Sequence, residues 1–271
     1  MEAFQRPQEW DAVAEKYERA FVKVSRKFAA HALRLAGVRA GARVLDVAAG
    51  TGALTLAAAR AGAQVEAIDF SPAMVSRLRA HVVAAGLEGV TVNEMDGQAL
   101  AFPDGTFDAA FSIFGLMFFP DRAKGMREMH RVLCSGGRAG IVVWNRTDQV
   151  GNLRLLGQAI RQEAPDAPLP AGPTLWQELE DSQRFRRELE QTGFGKAHIH
   201  TVEETWEASS PEHLWDDMVG MTPALETLYR KLGPERLHRV ADAFVAAARA
   251  ENGGDGAIAM RCEAHVGIAE K

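Results

Sequence analysis

The chain has 271 residues, 47% of them hydrophobic and 25% charged, and a chain of this length and composition buries a core without disulfides or metal. Its formal net charge of -5 disfavours a general nucleic-acid binder, because an acidic surface repels phosphate, but it leaves a local basic groove open. The two cysteines, Cys134 and Cys262, are too few for a disulfide framework and fit no zinc motif, so we expect no metal.

The N-terminal residues contain no apolar run of the kind that signal peptides carry. No stretch of the sequence approaches the roughly 20 apolar residues that a membrane-spanning helix needs. We therefore expect a cytoplasmic protein without a membrane partner.

The first half of the chain alternates between helical and strand patterns. Apolar residues at steps of three and four predict a helix over 8–36, and Gly37 ends it. The predicted strands that follow are 43–47, 64–69, 90–94, 107–113 and 138–144, and the predicted helices between them are 54–61, 71–85 and 122–133. This alternation predicts βαβ units with right-handed crossovers and a parallel sheet.

The second half of the chain has a different pattern of residue types. Four prolines predict a loop over 164–174, and a charged segment predicts a helix over 175–191. A sixth strand is predicted at 197–202 and a final strand at 257–269. The pattern of residues 211–250 is helical, with a break near Gly233.

The first strand leads into a turn of small residues, with the spacing Asp46-x-Ala-x-Gly-Thr-Gly52. Small residues allow the backbone to approach a ligand, and the following helix offers unpaired N–H groups. A phosphate-binding loop would need lysine followed by serine or threonine, and a dinucleotide fingerprint would need Gly-x-Gly-x-x-Gly. The turn is neither of these, so taken alone it is either a site for another ligand or a tight turn without one.

Acidic residues also follow the second and third predicted strands. Asp69 stands where nucleotide-binding α/β folds hold a ribose diol, and a carboxylate accepts hydrogen bonds from two hydroxyls. Asp96 is suited to accept a hydrogen bond from an exocyclic amine such as that of adenine, or else it is an ordinary turn residue before Gly97. Together with the glycine turn, the two acids predict a nucleoside-binding site.

These motifs, in this order, resemble the class I S-adenosylmethionine-dependent methyltransferases. The similarity is greatest to small-molecule enzymes of the ubiquinone/menaquinone biosynthesis type. It covers residues 40–145 well and the remainder only in layout. The matching stretches are 44–52, 67–74, 96–103, 107–108, 114–133 and 135–137.

The resemblance implies a three-layer Rossmann-like α/β sandwich. Its seven-stranded sheet would be mostly parallel with the last strand antiparallel, and helical lid insertions would accompany it. We predict a single methyltransferase domain over 1–271. Its parts would be an N-terminal helical lid (1–40), the cofactor-binding core (41–145), lid or substrate insertions (146–176 and 205–252) and segments completing the sheet (177–204 and 257–271).

The resemblance also implies which residues hold S-adenosylmethionine. Asp46 would lie near its amino group, Asp69 on the ribose and Asp96 on the adenine amine. Tyr17 or Trp10 of the first helix would lie at the methionine end, although aromatic residues at helical spacing are more often core residues. The family often has glycine at the position of Ala48, and alanine fits there if its φ is negative. The full set is Tyr17, Asp46, Ala48, Gly50, Gly52, Asp69, Phe70, Met74, Asp96, Gly97, Gln98, Ser112 and Ile113.

The acceptor of the methyl group would be a small molecule bound by residues outside these motifs. Aromatic and thioether side chains suit an apolar or planar acceptor, although each is also an ordinary core residue. The candidates are Trp10, Phe118, Trp144, Trp176, Trp215 and Met218, with Met221 and the segment 115–119. No histidine is marked as a base by its position, and His213 is the one to test first. The helices of 211–250 are alternatively a homodimer surface.

We therefore expect transfer of a methyl group from S-adenosylmethionine to an oxygen, nitrogen or carbon atom of a small aromatic or apolar metabolite. One alternative is a protein that keeps the cofactor site but does not methylate. Another is an RNA or protein methyltransferase, which the acidic pI of about 5.9 disfavours.

Overall fold

The protein was analysed as a computed structural model, which describes residues 3–167 and 177–271. One seven-stranded sheet organises these residues, and helices flank it. The strands are β1 (Arg43–Val47), β2 (Gln64–Asp69), β3 (Val90–Glu94), β4 (Phe107–Ile113), β5 (Leu133–Trp144), β6 (His198–Ala208) and β7 (Ile258–Glu270). The helices are α1 (Pro7–Ala36), α2 (Thr55–Arg60), α3 (Pro72–Ala84), α4 (Arg122–Val132), α5 (Gly151–Glu163), α6 (Ser182–Gln191), α7 (Pro211–Met218), α8 (Pro223–Leu232) and α9 (Pro234–Asn252).

The strand order is β3-β2-β1-β4-β5-β7-β6, and β7 runs antiparallel to both of its neighbours. This confirms the predicted fold class, a Rossmann-like sheet with an antiparallel last strand. The chain moves outward from β1 to β2 and β3, and then returns to place β4 on the other side of β1. Such a reversal opens a crevice at the carboxyl ends of the strands, where ligands of open α/β sheets bind.

Helix α1 packs across strands β4 to β7. Its buried face includes Phe28, Ala29 and Ala32, all fully excluded from solvent. Gly37 ends the helix in the left-handed conformation, with φ of 70°, and its N–H donates to the carbonyls of the last turn. Helices α5, α7 and α8 pack against α9 and form a helical layer beside β7.

Several predicted boundaries were wrong. Strand β5 begins at Leu133, which pairs with Phe107, instead of at residue 138. Strand β6 continues past residue 202 to Ala208, because it pairs with β7 along its whole length. Its polar sequence conceals this, since β6 is the edge strand of the sheet.

The helical regions also differ from the prediction. The helix expected over 175–191 begins only at Ser182, where the Asp181 side chain accepts the N–H groups of Gln183 and Arg184. Helix α5 was not predicted, and the region 211–250 has an additional break at 219–222. Most of the predicted proline-rich loop lies outside the described residues. In the described ranges no helix is long and apolar enough to cross a membrane. The division into lid, core and insertions stays a prediction.

We expect Gly140→Ala to lower the free energy of unfolding by about 1–3 kcal/mol, because overpacking a dense core displaces its neighbours. A Cβ at Gly140, in β5, would lie 2.5 Å from two ring carbons of the fully buried Phe111. Urea denaturation measures the loss. The matched control is Gly256→Ala, where a Cβ meets nothing within 4 Å and where we expect a change within about 0.5 kcal/mol. Equal stabilities of the two variants would contradict this packing.

Candidate active site

A cavity of about 260 Å³ lies at the carboxyl ends of β1 to β5. Helix α1 and the turn before it form one wall, and the segment between α7 and α8 contributes Met221 and Thr222. Most residues predicted to bind the cofactor line this cavity: Tyr17, Ala48, Gly50, Asp69, Phe70, Met74, Asp96, Gly97, Gln98 and Ile113. The structure thus brings them together, while their individual roles stay predictions.

The turn after β1 is held by hydrogen bonds at both ends. Asp46 is 1% exposed, and its Oδ2 accepts the Thr55 N–H at 3.0 Å and the Thr55 hydroxyl at 2.6 Å. Gly50 has a φ of 54°, which a residue with a side chain rarely adopts. The Tyr17 ring lies directly over Gly50, since a Cβ there would be 3.3 Å from Tyr17 Cε1. Helix α1 therefore contacts the backbone of the glycine turn.

Ala48 does not have the negative φ expected from the sequence. Its φ is 56°, in the left-handed region, which costs a residue with a Cβ about 1–2 kcal/mol. Its Cβ faces Gly115, where an added Cβ would lie 2.5 Å from it. Gly115 therefore provides the space that Ala48 occupies.

Phe114 is the other non-glycine residue with positive φ among the described residues, at 57°. Its N–H donates to the Val142 carbonyl at 3.0 Å. Its ring lies 4.2 Å from the Trp144 ring and 5.3 Å from the Phe21 ring, measured between centroids. Ala48 and Phe114 both line the cavity, and strained backbone of this kind is commonly found at functional sites.

Asp69 connects two neighbouring turns. Its Oδ2 accepts the Gly50 N–H at 2.8 Å, and its Oδ1 accepts the Ser71 N–H at 2.9 Å. At the end of β3, Asp96 is exposed and its Oδ1 accepts the Gln98 N–H at 2.8 Å. A Cβ on Gly97 would lie 2.7 Å from both Phe119 and Val47, so this position requires glycine. Both acids face the cavity from adjacent strand ends.

Burial raises the pKa of Asp46 to about 7 and that of Asp69 to about 6. Hydrogen bonds from Thr55, Ser71 and Gly50 oppose these increases, and the charge of Asp69 adds to the increase at Asp46. Burial and the same two carboxylates also raise the pKa of the Tyr17 hydroxyl. The site therefore contains two acids whose ionised forms are disfavoured chiefly by burial, and of the two Asp69 lines the cavity.

The remainder of the cavity wall is largely aromatic. Trp10, Phe118, Trp144 and Met221, proposed from the sequence, lie on it. The lining residues that the sequence did not single out are Phe4, Gln5, Phe21, Met95, Phe114, Pro120 and Thr222. Helical periodicity was an available signal for Phe21, which is four residues after Tyr17 and therefore on the same face of α1.

Other proposed residues lie elsewhere. Asp46, Gly52 and Ser112 are not on the cavity wall: a Cβ on Gly52 would meet Leu78, and Ser112 Oγ accepts the Leu116 N–H at 3.0 Å.

The substrate and base candidates of the helical layer are also away from the cavity. Trp215 packs on Tyr229 and Phe244, and Met218 is fully buried. His213 borders a different groove and contacts Ser209 and Asp217. Trp176 lies outside the described residues.

We expect Asp46→Asn to become more stable relative to the unchanged protein as the pH rises. The folded-state pKa of Asp46, about 7, is above its ordinary 3.8, so its contribution to stability is complete below pH 3.8 and is lost as the pH rises through about 7. The asparagine variant does not titrate there, so the difference in unfolding free energy should change by up to about 1.4 kcal/mol per pH unit. Urea denaturation at pH 5 and pH 8 measures it. The same difference at both values would show that the buried acid is not perturbed.

Comparison with known proteins agrees with this geometry. Residues 45–141 match the family model described as a methyltransferase domain. An uncharacterized protein of Mycobacterium tuberculosis is 39% identical over 145 residues, covering 54% of this chain and 52% of that protein. A demethylmenaquinone methyltransferase of Thermus thermophilus is 46% identical over 109 residues, 40% of this chain and 49% of that enzyme. The chain thus spans about half the length of the curated relatives it matches.

Among solved structures, the [4+2]-cyclase SpnF aligns with a TM-score of 0.59 at 19% identity, covering 99% of this chain and 96% of that one. At this identity the likeness concerns the fold alone. Residues 45–141 are thus similar to a methyltransferase domain, and the order of the motifs and the seven-stranded sheet agree with the predicted resemblance to the class I S-adenosylmethionine-dependent methyltransferases.

Proposed function

We propose that this protein transfers a methyl group from S-adenosylmethionine to a small, uncharged aromatic or apolar acceptor. One observation carries the proposal. A single cavity is lined on one side by the methyltransferase motifs and on the other by aromatic side chains. A donor and a planar acceptor would meet in that cavity.

The residues present fit the cofactor. S-adenosylmethionine carries a ribose diol, an adenine, and positive charges on its sulfonium and amino groups. Asp69 retains acceptor capacity beyond its bonds to Gly50 and Ser71, and Asp96 faces the same cavity from the next strand. A positively charged ligand in the cavity would favour the ionised form of Asp69, whose pKa burial raises to about 6. Thr51 lies in the glycine turn after β1. Among the described residues, its Oγ1 is the buried side-chain polar atom without a hydrogen-bond partner.

These residues would act by binding and orientation. Asp69 would hold the ribose, Asp96 the adenine amine, and Phe70 and Met74 the adenine ring. The cofactor, when bound, would supply the methyl group to an in-line acceptor atom, with S-adenosylhomocysteine as the leaving group. Tyr17 and the aromatic wall would exclude water and present electron-rich ring faces to positive charge. Alignment of the two reactants contributes much of the acceleration in such a reaction.

The aromatic side of the cavity argues for an uncharged acceptor. Of the described residues that line the cavity, the ones that carry a charge are Asp69 and Asp96, and both belong to the cofactor side. An ionised acceptor beside Phe21, Phe114 and Trp144 would lose its hydration without gaining a partner, which costs several kcal/mol. The similarity to a demethylmenaquinone methyltransferase supports an acceptor with a quinone-like ring.

We expect Asp69→Asn to weaken binding of S-adenosylmethionine by about tenfold or more, because the ribose hydroxyls lose a charged acceptor. Isothermal titration calorimetry measures the affinity, with S-adenosylhomocysteine as second ligand. The matched control is Asp108→Asn, whose exposed carboxylate accepts the Arg43 N–H at 2.8 Å at the amino end of β1. The control should bind as the unchanged protein does. Unchanged affinity in Asp69→Asn would contradict the ribose assignment.

Turnover with a panel of acceptors tests the substrate class. We expect S-adenosylhomocysteine to form with neutral phenols or quinols, and kcat/KM to fall about a hundredfold or more when the same ring carries a sulfonate. Mass spectrometry of the products identifies the methylated atom. Equal turnover of both ring types would contradict an uncharged acceptor.

Tight cofactor binding without product from any acceptor would instead favour a non-methylating role. The likeness to a cyclase shows that this fold also occurs in a protein named for another reaction.

A further inference from the structure

The N-terminal segment covers one side of the cavity. We refer to residues 4–21 as the N-terminal cover, since Phe4, Trp10 and Tyr17 of this segment line the cavity. The Trp10 ring N–H donates to the Phe4 carbonyl at 2.8 Å, which ties the first turn to α1. The Phe4 and Trp10 rings each lie 5.5 Å from the Phe118 ring, between centroids. The same rings belong to a buried cluster that includes Met74, so the cover also packs on the cofactor side of the cavity.

Asp11 makes the polar contact between the cover and the turn that follows β2. Its Oδ1 accepts the Ser71 hydroxyl at 2.6 Å and the Ala73 N–H at 3.0 Å. Ala73 is in the first turn of α3, where backbone N–H groups have no partner within the helix. A carboxylate there also interacts favourably with the helix dipole. The sequence separation of more than 60 residues makes this a contact that folding of the cover must form.

The contact continues into the cofactor site. The Ser71 N–H donates to Asp69 Oδ1 at 2.9 Å, and Asp69 Oδ2 accepts the Gly50 N–H at 2.8 Å. A chain of hydrogen bonds therefore runs from Asp11 through Ser71 and Asp69 to the glycine turn. Movement of the cover away from α3 would remove the acceptor of the Ser71 hydroxyl, beside the carboxylate proposed to hold the ribose.

Other attachments of α1 are of a different kind. Glu18 pairs with Arg77 at 3.0 Å and with His81 at 2.9 Å, and Glu15 reaches Arg77 at 3.6 Å with 81% of its side chain exposed. The Glu15 pair is solvated and contributes little to stability, whereas the Glu18 pairs are partly buried. The second half of α1 is fixed separately by the buried Phe28 and by Lys27, which donates to the Thr205 carbonyl at 2.8 Å. In the first half, Asp11 supplies the hydrogen bonds to the turn after β2, beside the buried apolar face of the helix.

We propose that Asp11 is a positioning residue that latches the N-terminal cover to the turn after β2 and thereby retains the cofactor and holds Asp69 in place. The inference rests on the proposed function, because it assigns S-adenosylmethionine to this cavity. It extends that function by naming the contact through which the cover and the ribose site act together.

Two measurements on Asp11→Ala test the latch. Hydrogen exchange without ligand should show faster exchange of amides in residues 7–21, while residues 26–36 keep the protection of the unchanged protein. Stopped-flow and calorimetry should show about tenfold weaker binding of S-adenosylmethionine, mainly through faster dissociation. Asp11→Asn keeps one acceptor oxygen, so its affinity for S-adenosylmethionine should lie between that of Asp11→Ala and that of the unchanged protein. Glu15→Gln, on the same helix and with an exposed carboxylate that reaches Arg77, is the matched control and should change affinity by less than about twofold.

The outcomes separate the latch from the proposed function. If the unchanged protein does not bind S-adenosylmethionine, the proposed function fails, while hydrogen exchange still decides whether Asp11 holds the cover. Exchange and affinity in Asp11→Ala equal to those of the unchanged protein would overturn the latch. Faster exchange spread evenly over α1 with unchanged affinity would also overturn it, since that result describes a structural contact only. An additive effect of Asp11→Ala and Ser71→Ala on affinity would exclude the pairing of these two residues.

Discussion

The structure of the site depends on the two hydrogen bonds that the Asp69 carboxylate accepts from the Gly50 and Ser71 N–H groups. Because β1 and β2 are parallel neighbours in register, with Val47 opposite Ile68, the turns that follow them emerge side by side. One carboxylate between these turns fixes the glycine backbone of the first and the start of α3 in the second. Each oxygen keeps acceptor capacity beyond these hydrogen bonds, and Asp69 lines the cavity, so the same group that orders the site also remains able to bind a ligand.

Strain and packing around the cavity balance each other. Ala48 and Phe114 hold left-handed backbone conformations that cost about 1–2 kcal/mol each for residues with a Cβ. Gly115 makes room for the Ala48 methyl group, and the Phe114 ring is enclosed by Phe21 and Trp144. The surrounding core thus overdetermines both conformations, which is how strained residues persist at sites that bind ligands.

The buried acids connect stability with binding. Asp46 and Asp69 are almost excluded from solvent, and their hydrogen bonds only partly offset the loss of hydration. A ligand with positive charge in the cavity would reduce this cost at Asp69, which lines it. Proteins commonly accept such a cost at functional sites.

The fold alone does not reveal the acceptor, because the aromatic wall that would select it is built from segments outside the shared motifs.

What the sequence determined is local. Neighbouring residues in the chain determine strands β1 to β4, the ends of α1 and α3, and the small-residue turn after β1. At the start of α3, for example, the Ser71 hydroxyl accepts the Met74 N–H. The acids at successive strand ends came together because parallel strands deliver their carboxyl ends to one edge. Only the tertiary structure decided the length of β6, the φ of Ala48, and the placement of Phe21 and Asp11 against residues far away in the chain. These features depend on pairing and packing between distant segments, which the local sequence pattern does not encode.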